Sequence, residues 1–176
     1  MTGHNKIKMT DLATLYRKLG LKDAETFIQS GNVIFNNRGN QPVIELASGI
    51  EQAIRKKFSY NIPALIRTEE ELKSVIDANP FINEDNYNPE RLAVIFLYQI
   101  PDGTQVEKVK NIDYPPDKFR IIGREIFIYC PDGFGRTKLY TNFFENKMKV
   151  TGTARNWRTI NTIYELVLNK GKQAQT

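Results

Sequence analysis

Cysteine and histidine are almost absent from this chain of 176 residues, which has one of each, Cys130 and His4. A zinc site needs three or four clustered ligands, and an internal disulfide needs a second cysteine. The composition therefore excludes a disulfide scaffold and argues against a metal centre. A lone cysteine is typical of a reducing compartment, so we expect a cytoplasmic protein with no metal and no cofactor.

Long apolar runs are also lacking. No run approaches the ~18 residues that a membrane span requires. The first six residues, MTGHNK, contain no apolar core of a secretion signal. We therefore expect no membrane partner.

Catalytic and nucleotide-binding motifs are incomplete. The turn Gly133-Phe134-Gly135 follows a strand, but Lys138 stands where a dinucleotide fingerprint needs its third glycine. No Gly-x-Ser-x-Gly elbow occurs, and the one possible base for Cys130, His4, is distant in sequence. An ordinary turn and a buried structural thiol are the favoured interpretations, and binding is favoured over catalysis.

Positive charge is concentrated in the second half of the chain. Residues 1–90 carry 11 Lys and Arg against 12 Asp and Glu, whereas residues 91–176 carry 14 against 8. Residues 136–176 alone hold eight cations and two anions. A local excess of this kind attracts phosphate groups, although it is also typical of a solvated basic face.

The order of predicted elements indicates an internal duplication. Residues 91–150 are predicted as strand, helix, strand, strand and helix, with a possible last strand, and residues 9–67 repeat that order without the opening strand. We therefore predict an α+β fold of two ferredoxin-like halves, built from split β-α-β units. The first is 1–78, a Pro- and Asn-rich linker follows at 79–90, and 91–176 forms the second with a C-terminal helix.

Local patterns place several elements within this frame. The apolar run in Arg91–Tyr98 predicts a strand covered on both faces. Gly123-Arg124 lies between Lys118–Ile122 and Glu125–Cys130, which predicts a hairpin. Pro63–Arg67 is predicted as a short strand. The final helix is predicted from about Arg155 to Asn169, with Trp157 on its buried side.

The strongest candidate site is the predicted start of that last helix. Free N–H groups at a helix start favour an anion. Six side chains could bind a phosphate or a carboxylate there: Lys147, Lys149, Thr153, Arg155, Asn156 and Arg158. The alternative is a capped helix start, with Thr153 as the N-cap and the two arginines in solvent.

A second polar cluster lies at the tip of the first predicted hairpin. Gln29, Ser30 and Asn32 could all donate hydrogen bonds from this tip. The alternative is ordinary turn chemistry.

Three segments carry a family resemblance: Asn5–Leu12, Phe27–Phe35 and Thr137–Ile163. The third contains the pattern Thr-x-Arg-Asn-Trp-x-Thr, beginning at Thr153. In these segments the chain resembles the bacterial domain-of-unknown-function family 1697. The resemblance implies an α+β fold of two ferredoxin-like halves and a terminal helix, and it implies no catalytic residues.

Family members usually begin with an apolar strand that is missing before Met1, in agreement with the element order. The true start of the protein is therefore open. A first strand is central in such a sheet, so we expect a disturbed N-terminal sheet. A neighbouring chain could occupy the vacant position, which would make the protein a homo-oligomer.

Three functions remain open at this point. The favoured one is a non-catalytic binding module for an anionic ligand, either nucleic acid or a phosphorylated small molecule. The others are a small-molecule enzyme with a pocket between the halves and a protein-interaction domain that uses exposed sheet edges.

Overall fold

The structure is a computed structural model that describes residues 7–28, 31–37 and 39–173. The fold is mixed α+β, and the described residues form two antiparallel sheets and six α-helices. The chain divides into two compact units between Arg67 and Thr68. None of the helices in the described ranges has the length and apolar character to cross a membrane.

The first unit contains two helices and a two-stranded sheet. Its elements in chain order are α1 (Met9–Lys18), β1 (Glu25–Phe27), β2 (Asn32–Ile34) and α2 (Val43–Phe58). Pro42 precedes α2 directly, because the fixed φ of proline suits a helix start. Apolar residues at helical spacing place Leu12 and Leu15 of α1 in one core with Ile50 and Ile54 of α2.

The predicted strand Pro63–Arg67 is not a strand in the structure. Tyr60, Ile62, Ala64 and Ile66 do alternate like strand residues, and all four pack against the core of the first unit. The Ala64 N–H donates to the Glu51 side chain, with 2.8 Å from nitrogen to Oε1. A carboxylate of α2 therefore accepts a hydrogen bond that a neighbouring strand would accept in a sheet.

The second unit contains a four-stranded antiparallel sheet. Its elements in chain order are α3 (Glu69–Asp77), a 3-10 turn (Pro89–Arg91), β3 (Leu92–Leu97), α4 (Gly103–Lys110), β4 (Lys118–Ile122), β5 (Glu125–Tyr129), α5 (Thr141–Met148), β6 (Gly152–Asn156) and α6 (Trp157–Gln173). The strand order in the sheet is β4-β5-β3-β6. The predicted buried strand and hairpin are thus present. Ile95 and Leu97 of β3 face a core that includes Val109 of α4 and Phe144 of α5. The last helix, α6, contacts α3, β3 and β6.

The segment 79–90 is not a linker, because it is packed into the second unit. Phe81 is 1% exposed, and its ring stacks on Tyr129 with 5.5 Å between centroids. The buried Asn79 accepts from the Phe81 N–H at 3.0 Å and donates to the Tyr87 hydroxyl at 3.1 Å. The boundary between the units therefore lies before α3 and not after it.

Candidate functional site

A strand occupies the position where the sequence predicts the start of the last helix. Thr153, Arg155 and Asn156 lie on β6, and α6 begins only at Trp157. The strand pairs with β3 from Leu97↔Gly152 to Ala93↔Asn156. Pairing with a buried central strand satisfies the backbone of this segment, and tertiary context of this kind overrides local helix propensity.

Asn156 caps α6, so Thr153 is not the N-cap. The Asn156 side chain accepts from the Thr159 N–H, with 2.7 Å from Oδ1 to nitrogen. This is the usual bond from an N-cap to the third helical residue. Trp157 follows immediately and is 8% exposed. The buried position predicted for Trp157 is thus confirmed, while the helix start moves toward the C-terminus.

Substitution of Asn156 by alanine should destabilise the protein by about 1 kcal/mol, because the Thr159 N–H loses its acceptor. Asn156→Asp keeps an acceptor and adds a negative charge near the positive end of the helix dipole, so its stability should match or exceed that of the natural chain. Urea unfolding monitored by circular dichroism measures both differences. An alanine variant as stable as the aspartate variant would contradict the cap.

Arg155 has a structural role within its own strand. Its Nη1 donates to Thr153 Oγ1 and to the Ala154 carbonyl, both at 2.8 Å. Burial lowers the pKa of Arg155 from its ordinary value, because a guanidinium loses hydration when water is excluded. Arg155 and Thr153 are brought together, and Nη1 of Arg155 is engaged with Thr153 Oγ1.

Three predicted site residues remain exposed cations: Lys147, Lys149 and Arg158. Lys147 lies in the last turn of α5, and Lys149 ends that helix in the left-handed conformation. Arg158 is the second residue of α6. Ion pairs of the second unit join Lys73 to Asp77, Lys110 to Glu107, Lys118 to Glu84 and Arg124 to Glu71. Within residues 39–173, none of the three exposed cations takes part in an ion pair of this kind.

The three cations do not converge on one point, because β6 separates them. Lys147 and Lys149 precede the strand, and Arg158 follows it. Its five residues, Gly152 to Asn156, extend over about 13 Å at the usual rise per residue. Since β6 is an edge of the four-stranded sheet, the arrangement is a basic edge and not a closed pocket. We call Lys147, Lys149 and Arg158 the basic edge.

The sequence analysis did not identify one acidic residue that lies near the basic edge. Glu145 of α5 accepts from the Gly152 N–H at the first residue of β6, with 3.0 Å from nitrogen to Oε1. The carboxylate thus fixes the turn that leads from α5 into the strand. Its role follows from the strand, whose position at Gly152–Asn156 the sequence did not predict.

The second polar cluster is described only in part. Gln29 and Ser30 lie outside the described residues. The Asn32 side chain donates to the Phe27 carbonyl, with 3.4 Å from Nδ2 to oxygen. This contact across the hairpin agrees with the alternative interpretation of the cluster, in which its polar side chains stabilise the turn.

The lone cysteine lies in the core of the second unit. Burial raises the pKa of Cys130 to about 11, and a side-chain hydrogen bond with Thr137 opposes that shift. The thiol therefore stays protonated at neutral pH, and a thiol is a much weaker nucleophile than a thiolate. Within the described ranges, no group of His, Cys, Asp and Glu side chains is arranged to hold a metal ion.

Comparison with known proteins gives a family and a fold. The family described as "Protein of unknown function (DUF1697)" matches residues 1–127, a range that ends before the third resembling segment, Thr137–Ile163. A solved structure of a conserved bacterial protein from Streptococcus pneumoniae is similar, with a TM-score of 0.73 and 19% identity over 94% of this chain and 92% of that chain. No curated protein matches. By the extent of the family match, the chain belongs to the DUF1697 family of proteins of unknown function.

Proposed function

We propose that the protein is a non-catalytic binding module for an anionic ligand, and that the ligand binds along the basic edge. The observation that carries this proposal is the placement of Lys147, Lys149 and Arg158. All three are exposed, and acidic side chains do not pair with them in the part of the chain that the structure describes. Their positive charge is therefore available to a partner.

The charge of the surrounding sequence also favours a negatively charged ligand. Residues 136–176 contain only two acidic residues, Glu145 and Glu165, against eight cations. Glu145 is engaged with the Gly152 N–H. A region of one sign raises the local concentration of oppositely charged ligands and accelerates their association.

Neutralising the basic edge should weaken polyanion binding. We expect the variant with Lys147→Gln, Lys149→Gln and Arg158→Gln to lose about tenfold to a hundredfold in affinity for long-chain inorganic polyphosphate. Each exposed contact between opposite charges contributes roughly 0.5–1 kcal/mol at low salt. Isothermal titration calorimetry at low ionic strength measures the difference.

The matched control removes three exposed cations of the same unit elsewhere, by Lys73→Gln, Lys108→Gln and Lys110→Gln. Both variants lose the same net charge at different locations, and the control also breaks the ion pairs of Lys73 with Asp77 and of Lys110 with Glu107. The control should bind as the natural chain does. Equal weakening in both variants would reduce the effect to net charge and contradict the site.

The finer fold assignment is also a proposal: each unit is a copy of one ferredoxin-like unit. In the second unit, β3-α4-β4-β5-α5-β6 follows the split β-α-β order, with β3 between β5 and β6. In the first unit, α1, β1, β2, α2 and the extended residues 60–66 follow the order of α4 to β6.

A cytoplasmic location is supported by the single cysteine.

A second candidate function is self-association through the first unit. The observation that favours it is the small sheet of that unit, where β1 and β2 pair only with each other among the described strands. Sheets with exposed edges bind further strands. Sedimentation velocity should then show a concentration-dependent species of twice the 20.3 kDa chain mass. A single 20.3 kDa species at all concentrations would contradict this candidate.

A further inference from the structure

We propose that the ligand of the basic edge is duplex nucleic acid, held through its phosphate backbone without regard to base sequence. This inference rests on the proposed function and names its ligand class. Three features of the edge lead to it: its length, its limited surface for stacking bases, and its exposure.

The length of the basic edge favours an extended anion over a small one. The cations stand at both ends of β6, and the strand alone extends over about 13 Å. A ligand that contacts Lys149 and Arg158 together has to extend along that strand. A duplex carries one negative charge for each ~1.7 Å of its axis, so it presents phosphates to both ends at once.

The aromatic side chains near β6 provide little surface for unpaired bases, and Tyr98 and Tyr164 are only partly exposed. Trp157 is buried at the start of α6, and Phe144 is buried in α5. The Phe143 ring meets the rings of Phe144 and Tyr114 in edge-to-face contacts, at 5.0 and 5.7 Å between centroids. The exposed Tyr140 lies at the opposite end of α5 from Lys147. Single-stranded nucleic acids gain much of their affinity from stacking on aromatic rings.

The exposed cations are suited to the contacts that a backbone requires. Lysine binds a phosphate as a point charge, and arginine can donate two parallel hydrogen bonds to it. Asn156 is engaged in capping α6, and Arg155 bonds within β6. Neither is presented as a reader of base edges. Contacts to phosphate alone position a protein on a duplex but carry no sequence information.

The test is fluorescence anisotropy of the full chain with two labelled duplexes of unrelated sequence and with the single strand of one of them. The titrations cover roughly 50 to 200 mM salt. We expect equal affinity for both duplexes and weaker affinity for the single strand. Three phosphate contacts give a slope of log K against log salt of about −2.7. The variant that lacks the three cations of the basic edge should lose most of that slope.

Competition with inorganic triphosphate distinguishes a failure of duplex recognition from a failure of the proposed anion-binding function. If triphosphate displaces the duplex at equal phosphate concentration, or if the single strand binds more tightly, duplex recognition is wrong while the anion-binding function stands. Strong preference for one duplex sequence would overturn backbone recognition in the same way. If duplex, single strand and triphosphate all fail to bind at low salt, the proposed function itself is wrong.

Discussion

Replacing Phe144 with alanine should destabilise the second unit by about 3–5 kcal/mol, the usual loss for truncating a buried phenylalanine. The side chain is 0% exposed. Its ring contacts Phe119 and Phe143 edge-to-face, at 5.1 and 5.0 Å between centroids. The substitution removes those contacts and leaves a cavity between α5 and the sheet.

Urea unfolding followed by both circular dichroism and tryptophan fluorescence measures this loss, since Trp157 reports on the second unit. Asn142→Ala, at an exposed position of the same helix, is the control and should change stability by less than about 0.5 kcal/mol. A loss below about 1 kcal/mol for Phe144→Ala would contradict the packing of α5 on the sheet. Because α5 carries Lys147, the alanine variant should also bind polyanions less well.

Gly152→Ala should destabilise the same unit by about 1–3 kcal/mol, because the added methyl group overpacks a filled site. A Cβ atom at Gly152 would lie 2.7 Å from Cγ2 of Ile95 and 3.1 Å from the Phe96 carbonyl oxygen. The carbonyl belongs to the central strand and cannot move without disturbing the sheet. The glycine is therefore required for the close approach of β6 to β3.

Gly103→Ala provides the matched control for that prediction. A Cβ at Gly103 would meet nothing within 4 Å, and the residue begins α4, where alanine is the better helix former. The control should be neutral or slightly stabilising. Thermal unfolding of both variants gives the comparison, and a Gly152→Ala protein as stable as the control would contradict the register of β6 on β3.

Much of the second unit could be predicted because its signals are local. The run Leu92–Leu97 is apolar without alternation, and that pattern alone indicates a strand covered on both faces. The pattern Thr-x-x-Glu from Thr68 to Glu71 is another local signal, and in the structure it forms a capping box with both hydrogen bonds. The hairpin follows from two apolar segments around Gly123.

The elements that were mispredicted depend on contacts between residues distant in sequence. β6 is a strand because β3, more than fifty residues earlier, supplies its ladder, and a sequence window around Thr153 contains no sign of that partner. The segment 79–90 has the composition of a linker, yet the Phe81 ring stacks on Tyr129, which is far along the chain. Composition reports local flexibility but not the presence of a distant partner.

The candidate site was predicted by residue type but not by geometry. The six side chains were chosen because cations and amides near a helix start favour anions. The structure divides them: Asn156 caps α6, Arg155 and Thr153 bond to each other, and only three cations remain available. A shift of the helix start by a few residues produces this division, and that shift follows from the pairing of β6.

The most direct test of the basic edge is a titration of the isotope-labelled full chain with duplex DNA, followed by amide chemical shifts. We expect the largest shifts at residues 147–149 and 157–158, on both sides of β6, and small shifts in α3 and α4. The Lys147→Gln, Lys149→Gln, Arg158→Gln variant should lose these shifts. Shifts that centre on α3 or α4, or that persist in the variant, would contradict binding at the basic edge.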